Sequence, residues 1–352
     1  MKVAVVGGGV VGLSATAALV RSGVDVVCFE RSGVLMGERS AGSSRIFRLA
    51  HTDPELVRLA GTAREGFARW AAEAGRPLIE QSACVISGGD AHERAAAMDA
   101  VGAPYEWGDG LAAAARLPAV VAPSPALVDL TGGVVDVDAV RAHLAARAGH
   151  VVVHEPVDAV DGGGQGATVR CPGGVHRFDA VVVAAGSGTS ALAAQVGIDT
   201  PATLEHHVRF TFPFEGPADV PAWIDSPDLG LHTYQHRSGP GRWSVGGALD
   251  PALTHWERGR DAVAAASRRA VLEHVRERLT VRPVITDSLY CTHVPGLGDG
   301  IEFRRSGPVL VVHGENLMKF APVLGDVLAA AAVDGSTPIV RTPQPTPRDA
   351  VS

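Results

Sequence analysis

Aromatic residues are scarce, with 3 tyrosines, 5 tryptophans and 9 phenylalanines among 352 positions. That scarcity leaves no aromatic cage for a quaternary cation. The 4 cysteines, Cys28, Cys84, Cys171 and Cys291, are widely separated and form no CxxC or other ligand spacing. No metal site is therefore expected, and reduced thiols fit a cytoplasmic chain. No apolar run reaches the roughly 20 residues that span a bilayer, and no leader-like series opens the sequence, so no membrane association is expected. A basic excess is also missing. With 31 basic and 38 acidic residues, the formal charge of -7 gives nucleic acid no electrostatic reason to bind. HExxH, GxSxG and a Walker lysine–serine ending are all absent, which disfavours zinc hydrolysis, serine hydrolysis and phosphoryl transfer.

What is present is concentrated at the start of the chain. Lys2-Val3-Ala4-Val5-Val6 runs into Gly7-Gly8-Gly9-Val10-Val11-Gly12, and an apolar segment returns to Val26-Val27-Cys28-Phe29-Glu30. The order is strand, glycine turn, helix, strand, acid. Gly7 permits the tight turn, Gly9 lets backbone approach a pyrophosphate, and Gly12 lets helix pack on sheet, while the amides of Val10 and Val11 open the helix toward phosphate. Glu30 is placed to accept hydrogen bonds from ribose hydroxyls. With 42 glycines in the chain, a fortuitous glycine turn is the plainer alternative. The spacing and both flanking strands favour a dinucleotide-binding βαβ unit.

Further along, Arg45-Ile46-Phe47-Arg48 carries two arginines at a spacing that shares a helix face. Asp53 and Pro54 mark a helix start before an apolar pattern reaching Trp70. Residues 84–87 read as a strand, 90–99 and 110–117 as small helices, and 76–131 as an excursion from the nucleotide-binding body. The chain then returns at Gly132-Gly133-Val134-Val135-Asp136, with a helix over 137–147 and strands at 151–153, 167–170 and 178–183. The last of these ends in Ala184-Ala185-Gly186, small enough for close backbone approach to a nucleotide or simply for a buried strand terminus. From 201 to 299 the segments 207–212, 231–236 and 242–246 alternate as antiparallel strands do, followed by a long helix over 261–279. Residues 309–312 form a strand, 313–318 a polar loop and 319–333 a helix; the proline-bearing tail has too little apolar pattern to need a fixed fold. The expected class is α/β, with a Rossmann-like FAD-binding domain (1–75, 132–200, 300–340), a second substrate domain built on a mixed or antiparallel sheet (76–131, 201–299) and a tail at 341–352.

The cofactor and roles in that expectation come from a resemblance. With its GxGxxG and Glu30, the RxxR of Arg45 and Arg48, Ala184-Ala185-Gly186, an antiparallel cap and the closing Lys319-Phe320-Ala321-Pro322, the chain resembles FAD-dependent amino-acid and amine oxidases of the monomeric sarcosine oxidase type, within the D-amino-acid oxidase group. The resemblance implies FAD held by Gly7, Gly9, Val10, Val11, Gly12, Glu30, Arg31, Ser43, Ser44, Arg45, Ala185, Gly186, Gly314, Asn316, Leu317, Met318 and Lys319. It sets Arg45 beside the flavin and pairs Arg48 and Lys319 with a substrate carboxylate. Three positions depart from the pattern. Ser288, two before Tyr290, stands where covalent members carry the flavin-linking cysteine, which favours non-covalent FAD, although Cys291 lies only three residues on. Ser244 falls near the lysine that activates oxygen. Larger residues occupy the glycine-rich loop before Lys319.

The implied reaction is oxidation of the C–N bond of a small carboxylate-bearing amine, an amino or imino acid, to an imine, with oxygen as acceptor. Tyr234 is a candidate cavity residue, and His232, His236 and above all His313 are candidate proton acceptors against a plainer structural reading. The alternatives are an FAD-dependent dehydrogenase or oxidative rearrangement enzyme with another acceptor, and a non-enzymatic flavin-binding protein.

Overall fold

A computed structural model describes residues 1–295 and 300–339, so the expected tail at 341–352 lies outside the described residues. The chain divides into two compact units. The first comprises 1–41, 139–203 and 294 onward; the second comprises 42–138 and 204–293. Residues 42–75 and 132–138 thus fall with the second unit rather than with the glycine fingerprint, because the strands they contribute pair with each other.

The first unit is built on a six-stranded sheet. Strands β1 (Lys2–Val6), β2 (Asp25–Phe29), β9 (Val152–Val153), β13 (Ala180–Val183) and β20 (Val309–Gly314) run parallel, and β19 (Ile301–Ser306) pairs antiparallel at the edge, in the order β19-β20-β13-β1-β2-β9. β1 and β13 are valine-rich runs buried on both faces, as central parallel strands require. Helix α1 (Val10–Arg21) packs on α9 (Ala321–Asp334). The approach is close enough that a Cβ at Gly325 would stand 2.7 Å from the Ser14 carbonyl oxygen. A second, antiparallel sheet of β10 (Ala159–Gly163), β11 (Gly166–Cys171) and β12 (Gly174–Phe178) shares a core with β13 around Val160, Val169 and Phe178. The turn at Pro172 therefore joins β11 to β12, and the single strand expected over 178–183 is the end of one strand and the start of another. Helices α5 (Val137–Ala148) and α6 (Thr189–Gln195) complete the connections.

The second unit holds an eight-stranded sheet, ordered β18 (Asp287–His293), β14 (Glu205–Pro213), β17 (Arg242–Ala248), β16 (His232–Gly239), β15 (Ala222–Ser226), β5 (Cys84–Gly88), β7 (Ala126–Asp129) and β6 (Tyr105–Gly108). Only the β15–β5 pair is parallel. A small sheet of β3 (Ser44–Phe47), β8 (Gly133–Asp136) and β4 (Ile79–Glu80) accompanies it. Helix α2 (Pro54–Ala74) starts on Pro54 with the Asp53 carboxylate capping the Glu55 amide. Helices α3 (Ala91–Asp99), α4 (Ala112–Ala115), α7 (Pro251–Thr254) and α8 (Arg260–Arg278) follow. Among the described residues, no helix is long and apolar enough to cross a membrane.

The large sheet has two chemically different faces. Val208, Phe210, Phe212, Trp243 and Val245 point to a core with Trp223, Val85 and Val128, closed by Val271 and Val275 of α8. Inside it, Trp243 donates its indole N–H to Gln235 Oε1 at 3.0 Å. That contact orients the amide so that Gln235 Nε2 donates to His274 Nε2 at 3.1 Å, and the imidazole must accept. Burial accordingly pushes His274 down to about 4.

A group whose folded value lies below its unfolded one takes up protons on unfolding, so stability falls as pH drops from about 6.5 to about 4. Denaturant titrations across that window should show the loss, and His274→Leu, which cannot titrate, should make the decline shallower.

Candidate active site

The glycine turn between β1 and α1 forms a cradle that side chains would fill. A Cβ at Gly12 would stand 1.9 Å from the Gly7 carbonyl oxygen, and one at Gly7, whose φ is +115°, would stand 2.4 Å from the Ala184 carbonyl oxygen. The fingerprint and the Ala184-Ala185-Gly186 strand end, separate in sequence, thus meet at the carboxyl ends of adjacent β1 and β13, where open parallel sheets bind ligands. Gly9 caps α1 and brings no side chain to block the helix start at Val10 and Val11. Glu30 lies beneath the turn, accepting from the Gly8 amide at 2.6 Å and the Ser32 amide at 2.7 Å. Arg31 pairs with Glu38 and donates to Ser187 Oγ at 3.2 Å. These features fit a dinucleotide pyrophosphate.

The closing segment of this unit differs from the expected loop. His313 belongs to β20 and faces Glu302 on β19, with 3.4 Å between His313 Nε2 and Glu302 Oε2. Burial lowers its pKa despite that carboxylate. Glu315 is buried; it pairs with Arg39 and accepts the Val294 amide at 2.7 Å. Gly314 ends the strand, and Asn316 takes a left-handed conformation, φ 54°. Leu317, Met318 and Lys319 then form a tight 3-10 turn before α9, with Lys319 buried.

In the second unit the RxxR segment is a strand, not a helix. Arg45 lies within β3 and Arg48 just past its end, and the two enter different surroundings. Arg48, just past β3, donates to the Ala50 carbonyl at 2.7 Å and meets His51 Nδ1 at 3.0 Å. Asp129 pins the same turn by accepting the Leu49 and Ala50 amides. Arg45 faces the polar side of the large sheet, where burial lowers its pKa and the neighbouring Cys291 and Tyr234 oppose the shift.

That polar side joins His207, Arg209 and Thr211, which the sequence did not single out, to Tyr234, His236, Ser244 and Cys291, which it did. On β14, His207, Arg209 and Thr211 alternate with the core residues. Across from them stand Cys291 and Leu289 on β18, and Gly246 and Ser244 on β17; Tyr234 and His236 follow on β16. Arg209 is buried, and its guanidinium donates to the Ser44 carbonyl at 3.1 Å and meets His236 Nε2 at 3.2 Å. Burial first, and then the like charge of Arg45, pull Arg209 down to about 10. His236, also touched by Ser44 Oγ at 3.0 Å, is held neutral by burial and both arginines. Its Nδ1 and Arg209 Nε are buried without hydrogen-bond partners among the described residues. Ser43 donates to the Ser238 carbonyl at 3.3 Å, and Ser244 joins Thr211 and Ser238 in a hydroxyl chain at 3.0 and 2.8 Å. The signal for Arg209 was available: a cation within a strand whose alternation faces it opposite to Val208 and Phe210.

No group of three or more metal-ligating side chains occurs among the described residues. Over residues 2–331 the chain matches the DAO family, FAD dependent oxidoreductase, and it belongs to that family. Three solved structures share the fold. NikD, an unusual amino acid oxidase essential for nikkomycin biosynthesis, is 22% identical with a TM-score of 0.82, covering 96% of this chain and 95% of that one. Glycine oxidase from Geobacillus kaustophilus is 19% identical with a TM-score of 0.77, covering 95% of each chain. L-Proline dehydrogenase from P. horikoshii is 17% identical with a TM-score of 0.76, covering 96% and 94%. No curated protein is similar enough by sequence to match.

Gly12→Ala puts a methyl group against backbone that has nowhere to move, so α1 must shift from the phosphate site. The purified variant is expected to lack the flavin absorbance of the parent, read as the ratio of visible to protein absorbance.

Proposed function

We propose that this FAD-dependent oxidoreductase oxidises the C–N bond of a small carboxylate-bearing amine, an amino or imino acid, to an imine, passing electrons to oxygen. The observation that carries the reading is a pair of neighbouring guanidiniums, buried Arg209 on the polar face of the large sheet and part-buried Arg45, which faces it from β3. Two like charges in a desolvated setting repel, and an anion between or beside them relieves the cost. A carboxylate suits this place because a forked guanidinium fixes its orientation. The neighbours in fold, described as acting on amino acids, glycine and proline, support the same substrate class. Arg209 thereby takes the carboxylate role that the resemblance gave to Arg48, whose guanidinium is engaged by its own turn.

FAD supplies the redox chemistry as acceptor of the hydride equivalent. In the first unit Gly7, Gly9, Val10, Val11, Gly12, Glu30, Arg31, Ala185 and Gly186 are the proposed contacts of its adenosine diphosphate, and Gly314, Asn316, Leu317, Met318 and Lys319 those of the ring system. In the second unit Ser43, Ser44 and Arg45 are proposed contacts. The protein's work is to orient the amine, neutralise its carboxylate and exclude water.

Two specific observations favour second readings. Cys291, not the exposed Ser288, shares a sheet face with Arg45 and Arg209, so a cysteine-linked flavin stands beside the non-covalent one. Acid precipitation decides between them: flavin left in solution supports non-covalent binding, whereas colour retained in the pellet and lost in Cys291→Ser assigns the link. Ser244, in its uncharged hydroxyl chain, offers no cation to a reduced oxygen species, which favours a dehydrogenase with another acceptor; slow reoxidation in air after anaerobic reduction would establish it.

Anaerobic bleaching by a panel of amino and N-alkyl amino acids tests the main proposal, and a panel that leaves the flavin oxidised would sink it. Arg209→Met is expected to raise the KM for a carboxylate substrate roughly 100-fold, the loss of a charge-assisted hydrogen-bond pair. Arg48→Met should change it by less than about threefold on the same reasoning.

A further inference from the structure

Tyr234 and His207 make a contact that the binding of a carboxylate does not require. His207 Nε2 lies 2.6 Å from the Tyr234 hydroxyl, with the two rings stacked at 26° and 5.6 Å between centroids. The tyrosine is held there by an absence. A Cβ at Gly246, its cross-strand partner on β17, would stand 2.1 Å from Tyr234 Cζ and 2.4 Å from its hydroxyl oxygen. The ring therefore lies flat across Gly246, on the face that carries Arg209 and with Arg45 nearby. Burial raises the Tyr234 pKa well above its ordinary value, so the side chain stays a phenol at neutral pH, and with His207 in the tautomer whose Nε2 is unprotonated the hydroxyl donates to that nitrogen.

We infer that Tyr234 and His207 form a proton relay that removes the proton of the substrate ammonium group. The inference rests on the amine reading above. With the carboxylate held by guanidinium, the amino group one carbon away is set beside the same sheet face, within the span of Tyr234. The ammonium N–H gives its proton to the tyrosine oxygen as the tyrosine passes its own to His207 Nε2, leaving a neutral amine and an imidazolium. No electrons move in this step, and the phenol is regenerated. The amine lone pair is then free for the oxidation that follows. His207 is only partly buried, which gives the proton a way out.

Other charged and titratable groups face the pair. Arg45 comes from β3, Arg209 and Glu205 from β14, His236 and His232 from β16, and Cys291 and His293 from β18. The two arginines disfavour an imidazolium, and a bound carboxylate offsets them. Proton removal is thereby coupled to the correct substrate: an amine lacking the carboxylate meets a relay biased against taking its proton. Tyr234 is the group in contact with substrate in this scheme, and His207 acts through it.

The test is the pH dependence of flavin reduction, followed anaerobically in the holoenzyme with a saturating amino acid. The wild type should show an acidic limb set by the relay. Tyr234→Phe, which removes one hydroxyl and keeps the ring over Gly246, and His207→Asn should both move that limb upward by about one pH unit or more, with reduction at least about tenfold slower near neutrality. Above the pKa of the free amine both variants should approach the wild-type rate, a recovery that a misfolded or merely mispositioned site would not show. Acidic limbs in the same place for all three proteins would overturn the relay while leaving the amine reading standing. A wild type that no amine reduces at any pH would remove the reading, and the relay with it.

Discussion

Two neighbouring positive charges, Arg209 buried on the polar face of the large sheet and Arg45 facing it from β3, are the constraint around which the second unit is arranged. Arg209 is far from water and close to Arg45, and its polar contacts are a carbonyl and a neutral imidazole. Holding such a pair costs stability unless the surrounding fold over-determines it. The over-determination is visible. The hydrophobic side of the same strands is a dense layer of phenylalanine, tryptophan and valine closed by α8. The polar side is backed by β3, whose Ser44 supplies both a carbonyl to Arg209 and a hydroxyl to His236. One face supplies the packing that lets the other carry unfavourable charge, and it is the alternation of strand side chains that keeps the two apart.

The first unit was legible in the sequence because its decisive features are local. Gly7, Gly9, Gly12 and Glu30 lie within one βαβ turn, and Gly7 and Gly12 are each required by backbone within reach of their own Cβ. The antiparallel strands around 207–212, 231–236 and 242–246 were equally legible from alternation. What escaped depends on distant pairing. A spacing of three between Arg45 and Arg48 is compatible with a helix face, and only the ladder of β3 with β8, some 90 residues later in register (Ser44 with Asp136), makes it a strand. The same ladder draws residues 42–75 and 132–138 into the second unit. β18, whose sequence mixes polar and apolar residues without clean alternation, and β15, set between two proline-bearing loops, gave too weak a pattern to read.

The site was legible unevenly for the same reason. Arg45 and Tyr234 were named from the sequence, and the structure brings them onto one face. His313 belongs to a paired strand with Glu302 because β20 extends two residues past its valine run. Arg209 and His207 sat inside a strand recognised as a strand. Their chemistry shows only once the opposite face is known to be filled by Val208, Phe210 and Phe212, so that their own face must be the one reserved for a polar partner.

The close packing of α1 on α9 has a consequence for how the protein is made. The fingerprint helix is synthesised well before its partner, with β1 seated between β2 and the much later β13. The packing around the nucleotide cradle is therefore incomplete until α9 has been synthesised. Residues 42–138 and 204–293 form their own unit, whose sheet does not include α9. The helix start that faces the pyrophosphate is thus braced by a segment made about 300 residues later, so the cradle's support is a long-range feature although its glycines are local.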